Sequence, residues 1–356
     1  MEAPGYDLII AGAGPAGSAC AITAARAGAK VLLLEKDRFP RHKVCGEFVS
    51  PESLRLLEWL LGTNSFQLRP EISRARIFFG KKVTYLPVSP PARSIPRFYL
   101  DDELLRAARN SGVEVRDAVT VREVQQAQPF KVVTADKIYS SRAVVNASGR
   151  WSQLSHQSPG AQKWIGLKSH FHEVGPSPTV DLYFFDGGYC GVQPVEADTV
   201  NACAMVRAER ARSLQEVFAL HPELQQRSRG WQAVFEPITT SPLFFHPPQT
   251  GHNGVLLAGD AAAFIDPFAG DGISLALQSG SLAAELLAAF MQGKASLEEV
   301  HRRYHAAYIK QFAPAFRNAA RVRRALSAPK LIRSLLLSLA GTKPIARALV
   351  RGTRAK

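Results

Sequence analysis

The feature that most constrains this chain is a glycine run near its start. Gly12-Ala13-Gly14-Pro15-Ala16-Gly17 follows a short apolar segment, residues 7–11, and opens a stretch of small residues that reaches Arg26. The apolar segment reads as a buried strand and the small-residue stretch as a helix; a second apolar segment, residues 30–35, completes a strand–helix–strand unit. Gly12 permits the tight turn, Gly14 lets the backbone approach a pyrophosphate, and Gly17 lets helix and sheet pack closely. The helix start over Pro15 and Ala16 then presents the positive end of its dipole to that anion. Glu35, eighteen residues beyond Gly17 and followed by Lys36, ends the second strand, where its carboxylate can accept ribose hydroxyls. A glycine turn alone says little, but with strand, helix and acid in place it points to a bound dinucleotide.

The chain has 356 residues, 46% of them hydrophobic, enough for one large domain or two joined ones with a sizeable core. Its net charge of +14 suggests nucleic acid until its location is considered. Beyond Glu299 stand fourteen Lys and Arg and no acid, so the whole excess lies in the tail and the preceding body is formally neutral. There Lys343, Arg347 and Arg351 share one helical face, and Leu331, Leu335 and Leu339 another. Such a segment suits either an anionic membrane surface or packing on the body through its leucines. Nucleic acid is not expected, for want of interleaved aromatics.

Cys20, Cys45, Cys190 and Cys203 form no CxxC pair, which fits a reducing, cytoplasmic setting, with peripheral attachment to the inner membrane face as a possibility the tail raises. The histidines His170, His172, His246 and His252 match no common metal spacing, and we expect no metal. Residues 273–291 are long and apolar, but Gln278, Ser279, Ser281 and Glu285 interrupt them, so a buried helix is expected and not a membrane span.

Along the chain, residues 100–111 read as a helix opened by Asp101 and Asp102, residues 113–124 and 132–147 as strands, and residues 164–245 as short β runs broken by Gly and Pro, with one helix near 214–220. Residues 254–258 return to a buried strand. A second motif follows: Leu256-Leu257-Ala258-Gly259-Asp260-Ala261-Ala262, continued by Phe264-Ile265-Asp266-Pro267-Phe268-Ala269-Gly270-Asp271-Gly272-Ile273. It resembles the second FAD fingerprint of the para-hydroxybenzoate hydroxylase-fold flavoproteins, and the resemblance covers residues 5–290. It implies that Asp260 binds the ribityl chain and that Pro267, Gly270, Asp271, Gly272 and Ile273 lie against the isoalloxazine ring. N–H groups at a helix start there suit the anion that forms on reduced flavin at N1 and the C2 carbonyl. It further implies that Arg97 touches FAD, that the backbone at Val121, on a strand, meets the adenine, and that Arg41 and Lys43 lie near the phosphates.

Where the hydroxylases carry an Asp-Gly element, this chain has Asn146-Ala147-Ser148-Gly149-Arg150-Trp151-Ser152, and it carries a Lys-x-Cys-Gly run at Lys43-Val44-Cys45-Gly46. The first resembles the geranylgeranyl reductase and halogenase branches, and the second is similar to the reductase branch. Gly188-Tyr189-Cys190-Gly191-Val192-Gln193-Pro194 stands where halogenases carry a Trp-x-Trp-x-Ile-Pro segment, which speaks against halogenation. The resemblance implies an α/β fold of mixed α+β character: a Rossmann-like FAD-binding domain over 1–163 and 250–296, an inserted antiparallel β-sheet substrate domain over 164–249, and a basic helical C-terminal region over 297–356. It implies an FAD oxidoreductase, reduced by transient NAD(P)H, acting on a hydrophobic isoprenoid, quinone or polyketide lipid, with Cys45 and Tyr189 as candidate catalytic residues. Oxygen-dependent hydroxylation and turnover-free lipid binding stand as alternatives, and the oligomeric state is left open.

Overall fold

The computed structural model describes residues 5–150, 163–240, 243, 245 and 247–326. The described residues form two eight-stranded sheets. The first runs Gly251–His252, Val255–Leu257, Ile138–Asn146, Tyr6–Ala11, Val31–Leu34, Glu114–Arg116, with Phe130–Val133 antiparallel to Ile138–Asn146 and Glu123–Gln125 antiparallel to Phe130–Val133. Its central strands are parallel, in the registers Leu8↔Val31 and Leu8↔Ala143. Leu8, Ile9 and Ile10 are fully buried, as a parallel strand covered on both faces requires.

Helices Pro15–Arg26, Arg97–Asn110 and Gly272–Met291 share one large core with that sheet. The helix over 272–291 is long and apolar enough to cross a membrane, yet Leu275, Leu277, Ala283, Ala284 and Leu287 are buried in this core. It crosses Pro15–Arg26 so closely that a Cβ on Gly280 would sit 2.0 Å from the Ala16 carbonyl oxygen. Leu297–Leu326 packs on the same core through Val300, Tyr304, Tyr308, Phe312, Ala315 and Ala319. Of the basic tail, the part as far as Ala319 thus serves the core. The leucines and cations from 330 onward lie outside the described residues.

The second sheet runs Ile238–Thr240, Trp164–His172, Thr199–Arg207, Gly188–Glu196, Thr179–Phe185, Glu71–Phe79, Lys82–Ser94, Phe48–Val49. All its pairs are antiparallel except Thr179–Phe185 beside Glu71–Phe79. The period of two divides its faces. Val200, Ala202, Ala204 and Val206 pack under the helices Leu214–Ala219 and Pro222–Arg227, leaving Asn201, Cys203 and Met205 on the side of the first sheet.

Two sequence expectations change here. The β-sheet unit does not begin at 164, because Glu71–Phe79 and Lys82–Ser94 belong to it, joined through Thr179↔Arg74 and a small core of Ile72, Val88 and Ala92. Arg74, Arg76, Lys82 and three prolines hide their alternation in the sequence. Residues 113–124 are not one strand: Glu114–Arg116 and Glu123–Gln125 are separate, and Val121 lies in the loop between them. That loop turns at Ala118 (φ 55°) and closes against the first sheet, where the Val119 N–H donates to the Glu35 carbonyl at 2.8 Å.

The helix crossing gives the first prediction. Gly280→Val places its Cβ against backbone, which cannot move as a flexible side chain would, so stability should fall by about 1–3 kcal/mol or more, as for overpacking. Urea denaturation reads this as a lowered midpoint; an unchanged midpoint contradicts the close crossing.

Candidate active site

The glycine turn is built for close approach. Gly12 has φ +101°, and a Cβ there would lie 2.5 Å from the Ala147 carbonyl oxygen; one on Gly17 would lie 1.8 Å from the Gly12 oxygen. Gly14 differs, because its missing side chain faces open space bounded only by Arg97 Nη2 at 3.8 Å. Protein packing does not demand a glycine there, but a group lying across the turn does. Gly14 caps Pro15–Arg26 without a side-chain hydrogen bond, and the first turn of that helix holds no acid, so its N–H groups and dipole suit an anion.

Cations surround that point. Arg97, first residue of its helix, donates from Nε (2.6 Å) and Nη2 (2.7 Å) to Asp101, and Arg41 Nη1 donates to the same carboxylate at 2.8 Å. One fully buried anion thus orients two guanidinium groups toward the turn. Burial works against the Arg97 charge, but Asp101 outweighs it and lifts the pKa above its ordinary value. Arg41 also reaches Glu35 at 3.5 Å and Asp37 at 3.2 Å, while Lys43 pairs with Asp37 at 3.1 Å. Glu35 accepts from the N–H groups of Ala13 (2.7 Å) and Asp37 (3.0 Å), which locks it to the turn, and Lys36 is exposed beside it.

The second motif approaches from the other helix. Gly259 N–H donates to Ser279 Oγ at 2.9 Å, and Asp260, partly exposed, lies 3.6 Å from Arg150 Nε. Arg150 stacks over Phe264 at 4.1 Å, and its Nη1 is buried without a partner. Burial pulls its pKa down and Asp260 opposes this. Pro267–Ala269 forms one turn of 3-10 helix, Gly270 turns the chain at φ +71°, and Gly272–Met291 begins after Asp271 without a side-chain cap. Asp271 instead accepts from Ser50 Oγ at 2.8 Å, fixing the loop below; a Cβ on Gly272 would meet nothing within 4 Å. Ile273 is buried behind it.

The segment from Cys45 to Ser50 links the two ends. Cys45 touches Arg97, its sulfur accepts the Glu47 N–H at 3.3 Å, and its carbonyl accepts Asn201 Nδ2 at 3.0 Å. Glu47, fully buried at φ 62°, accepts from Lys168 Nζ, His170 Nε2 (2.7 Å) and the Arg97 N–H (2.7 Å). That backbone costs about 1–3 kcal/mol for a residue other than glycine, and three partners hold it in place. Burial alone raises the Glu47 pKa, yet Lys168 and His170 more than reverse this. His42, stacked on Phe235 at 3.8 Å, is pushed down to about 4 by burial and by Lys168 and His170, so it is neutral near pH 7.

Between the second motif and the second sheet lies an apolar seam. Phe184, Tyr189, Met205, Leu243 and Phe264 form it, with Phe245 and Phe268 packed alongside. Tyr189 is buried, its ring 5.5 Å from Phe184 and 6.3 Å from Phe268. Cys190, next to it, points the other way into the second sheet's own core. Within the fingerprint, Asp266 is buried with no hydrogen bond to either carboxylate oxygen; among the described residues its counter-charge is Arg323, Nη1 at 3.4 Å. Burial lifts its pKa to about 7 against the pull of Arg323.

The structure therefore brings Gly12, Gly14, Gly17, Arg97, Cys45, Asp260 and Gly272 around one region. Val121 lies in its loop beside Val119, both packed against the first sheet's residues Ile9, Leu32 and Leu34 and not in this region. Sequence reasoning gave no role to Arg150, Glu47, Lys168, His170 or Asp266. Arg150 and Asp266 sat inside recognised motifs and Glu47 directly follows the Lys-x-Cys-Gly run, while Lys168 and His170 become visible only through the strand Trp164–His172. Among the described residues no three His, Cys, Asp or Glu side chains group as for a metal.

The chain matches two family models, one described as FAD dependent oxidoreductase over residues 7–40 and one as FAD binding domain over residues 248–315, the two segments that supply the helix starts. The chain is an FAD-dependent oxidoreductase, and an enzyme. It is similar to a menaquinone reductase of Mycobacterium tuberculosis, 28% identical over 79% of this chain and 76% of that protein, and to a digeranylgeranylglycerophospholipid reductase of Methanococcoides burtonii, 28% identical over 84% and 78%. It is equally similar to a flavin-dependent halogenase of Armillaria mellea, 28% identical over 82% of this chain and 66% of that one. In fold it matches a solved flavin-dependent brominase (TM-score 0.82, 21% identity, 98% of this chain and 93% of that one) and a geranylgeranyl bacteriochlorophyll reductase-like protein of Thermoplasma acidophilum (TM-score 0.77, 21%, 98% and 95%). The missing Trp-x-Trp-x-Ile-Pro segment thus does not remove halogenases from its relatives.

Asp266 gives a prediction for the free protein. Its folded pKa of about 7 lies above the ordinary 3.8, so folding takes up a proton between those values. Stability should fall as pH rises through that window, on the order of a few kcal/mol. Asp266→Asn should flatten that part of the profile. Equal slopes in thermal melts of the two proteins between pH 4 and pH 7 contradict the buried, proton-binding carboxyl.

Proposed function

We propose that this enzyme reduces a carbon–carbon double bond in a hydrophobic isoprenoid or quinone, using a flavin held between its two helix starts and reduced in turn by NAD(P)H. The observation that carries this reading is the convergence of two uncapped helix N-termini, each with an open glycine, beside Arg97 and Arg150 and against an apolar seam. In it, Gly12, Gly14, Pro15, Ala16 and Gly17 cradle the pyrophosphate with Arg41 and Arg97 as counter-charges. Glu35 and Lys36 meet the adenosine ribose, and the loop at Val121 borders the adenine. Asp260 takes the ribityl hydroxyls, and Pro267, Gly270, Asp271, Gly272 and Ile273 bound the ring. Bound flavin supplies two-electron chemistry, accepting a hydride from the nicotinamide and returning one to carbon.

What supports a lipid-like substrate is the seam itself, whose aromatic and Met side chains offer few polar contacts, and the names of the two reductases to which the chain is similar. Tyr189 and Cys45 border the substrate, the first from the sheet and the second from the loop beside Arg97. Attachment to an anionic membrane is proposed as well: Leu297–Leu326 presents Arg302, Arg303, Lys310, Arg317 and Arg321 outward while its other side joins the core. The halogenase and brominase relatives favour a second reading, in which the reduced flavin is spent on oxygen.

Anaerobic reduction with NADPH or NADH, followed by a short-chain menaquinone or a geranylgeranyl phospholipid, separates the readings. The flavin absorbance should return without oxygen and the isoprenoid chain of the probe should gain two hydrogens by mass spectrometry; return only on admitting air favours the oxygen-using route. For the cofactor residues, Asp260→Ala and Gly14→Val should each lower flavin content after purification at least tenfold, the second by placing a side chain where the pyrophosphate lies. Full, tight flavin content in both variants overturns the assignment.

A further inference from the structure

We propose that Asp266 is the proton donor of the reduction, with Arg323 the positioning residue that receives the charge it leaves behind. This rests on the reading of the enzyme as a double-bond reductase and goes beyond it by naming the acid.

Reducing a C=C bond needs one hydride and one proton, delivered to adjacent carbons. Groups able to give a proton inside an apolar seam are few. Tyr189 is the other hydroxyl-bearing candidate there, and burial raises its pKa well above 10, with Asp266 adding to the effect. Cys203, on the strand Thr199–Arg207, has its thiol pushed up likewise by burial. Lys168, His170 and Glu47 are committed to one another. Asp266 is different in kind: it is 3% exposed, belongs to the loop that leads into the helix start at Gly272, and has no hydrogen bond on either oxygen. A buried, unbonded carboxyl is expensive to keep as a structural device, since apolar side chains of the same size serve packing better.

Its neighbours are arranged for proton release. Phe264 and Phe268, two residues to either side, belong to the seam that borders Tyr189 and Phe184. From the helix Leu297–Leu326 comes Arg323, 3.4 Å from an Asp266 oxygen and stacked at 4.0 Å on Phe245. The groups that face the carboxyl are therefore Arg323 from the helix and Tyr189 from the sheet. Burial favours the neutral acid, and the guanidinium moderates this, which leaves the pKa at about 7, where an acid catalyst is both loaded and able to let go.

In the step, the O–H bond of Asp266 breaks and its electron pair stays on the carboxylate, now facing Arg323. The proton forms a C–H bond with one carbon of the double bond, using the π pair. The neighbouring carbon receives the hydride that the reduced flavin provides, so the alkene gains two electrons and two hydrogens while the flavin is oxidised by two electrons. Solvent then restores the proton to Asp266.

The test uses the full-length flavoprotein and the variants Asp266→Asn, Asp266→Glu and Arg323→Met. Two readouts are taken: the infrared carboxyl band of the protein without substrate as pH is raised, and the anaerobic reoxidation of the reduced flavin by a short-chain menaquinone and by a geranylgeranyl phospholipid, counted only where mass spectrometry shows that the isoprenoid chain has gained two hydrogens, since a quinone ring can take the same two electrons. Wild type should show a protonated carboxyl that disappears with a midpoint near 7, absent in Asp266→Asn and moved to higher pH in Arg323→Met. Reoxidation should slow at least a hundredfold in Asp266→Asn, with flavin content and NAD(P)H reduction unchanged. It should recover in part in Asp266→Glu, and in Arg323→Met its alkaline limb should move with the carboxyl band. If wild type adds no hydrogen to the isoprenoid chain of either probe, whether or not its flavin is reoxidised, the double-bond reductase reading fails and takes the proposal with it. If wild type reacts and Asp266→Asn reacts within a factor of three, that reading stands and Asp266 is not the donor. Loss of flavin in Asp266→Asn with full reoxidation in Arg323→Met at an unmoved pH limb also overturns it.

Discussion

The arrangement depends on one backbone contact, the crossing of Pro15–Arg26 by Gly272–Met291 at Gly280 and Ala16. Each helix starts directly after a glycine turn, and the crossing sets how far apart those starts lie. With a side chain at Gly280 the helices would separate, and the two N-termini would no longer address one ligand. The contact also brings Gly259 against Ala16, where a Cβ would come within 2.8 Å, so the second motif is seated on the first. Two distant segments become one site because small residues let main chains touch.

Electrostatics then select what occupies it. Asp101 is fully buried and binds Arg97 and Arg41 together, and Arg41 reaches on to Glu35 and Asp37, so two guanidinium groups are fixed in one paired network beside Gly14. Glu47 likewise serves Lys168 and His170. Buried charges of this number are costly unless paired, and here each carboxylate is shared by cationic partners from separate elements. The Glu47 cluster ties the loop after the second strand to the second sheet, which is how that sheet is held at a defined distance over the flavin loop.

Much of this was legible in the sequence. The turn at Gly12–Gly17, Glu35, and the segment 256–273 obey rules of spacing that act over a few residues, and their positions agree with the fold. What failed had non-local causes. The strands over 71–94 carry arginines, lysines and prolines that blur their alternation, and their membership in the second sheet is decided by pairing with residues a hundred positions later. The helix past 313 showed its cations and hid its packing, because Phe312, Ala315 and Ala319 form a stripe only once the partner helix is known. Asp266 lay inside a recognised motif, yet its isolation from hydrogen bonds is a property of its surroundings and not of its neighbours in sequence.

The central claim is that one flavin lies across both helix starts at once. Amide hydrogen exchange of the protein stripped of flavin, and again after FAD is restored, tests it most directly. The account predicts slowed exchange on FAD addition at both Ala16–Ser18 and Gly272–Ser274, with the same dependence on FAD concentration. Protection at only one of the two, or two different concentration dependences, would contradict it.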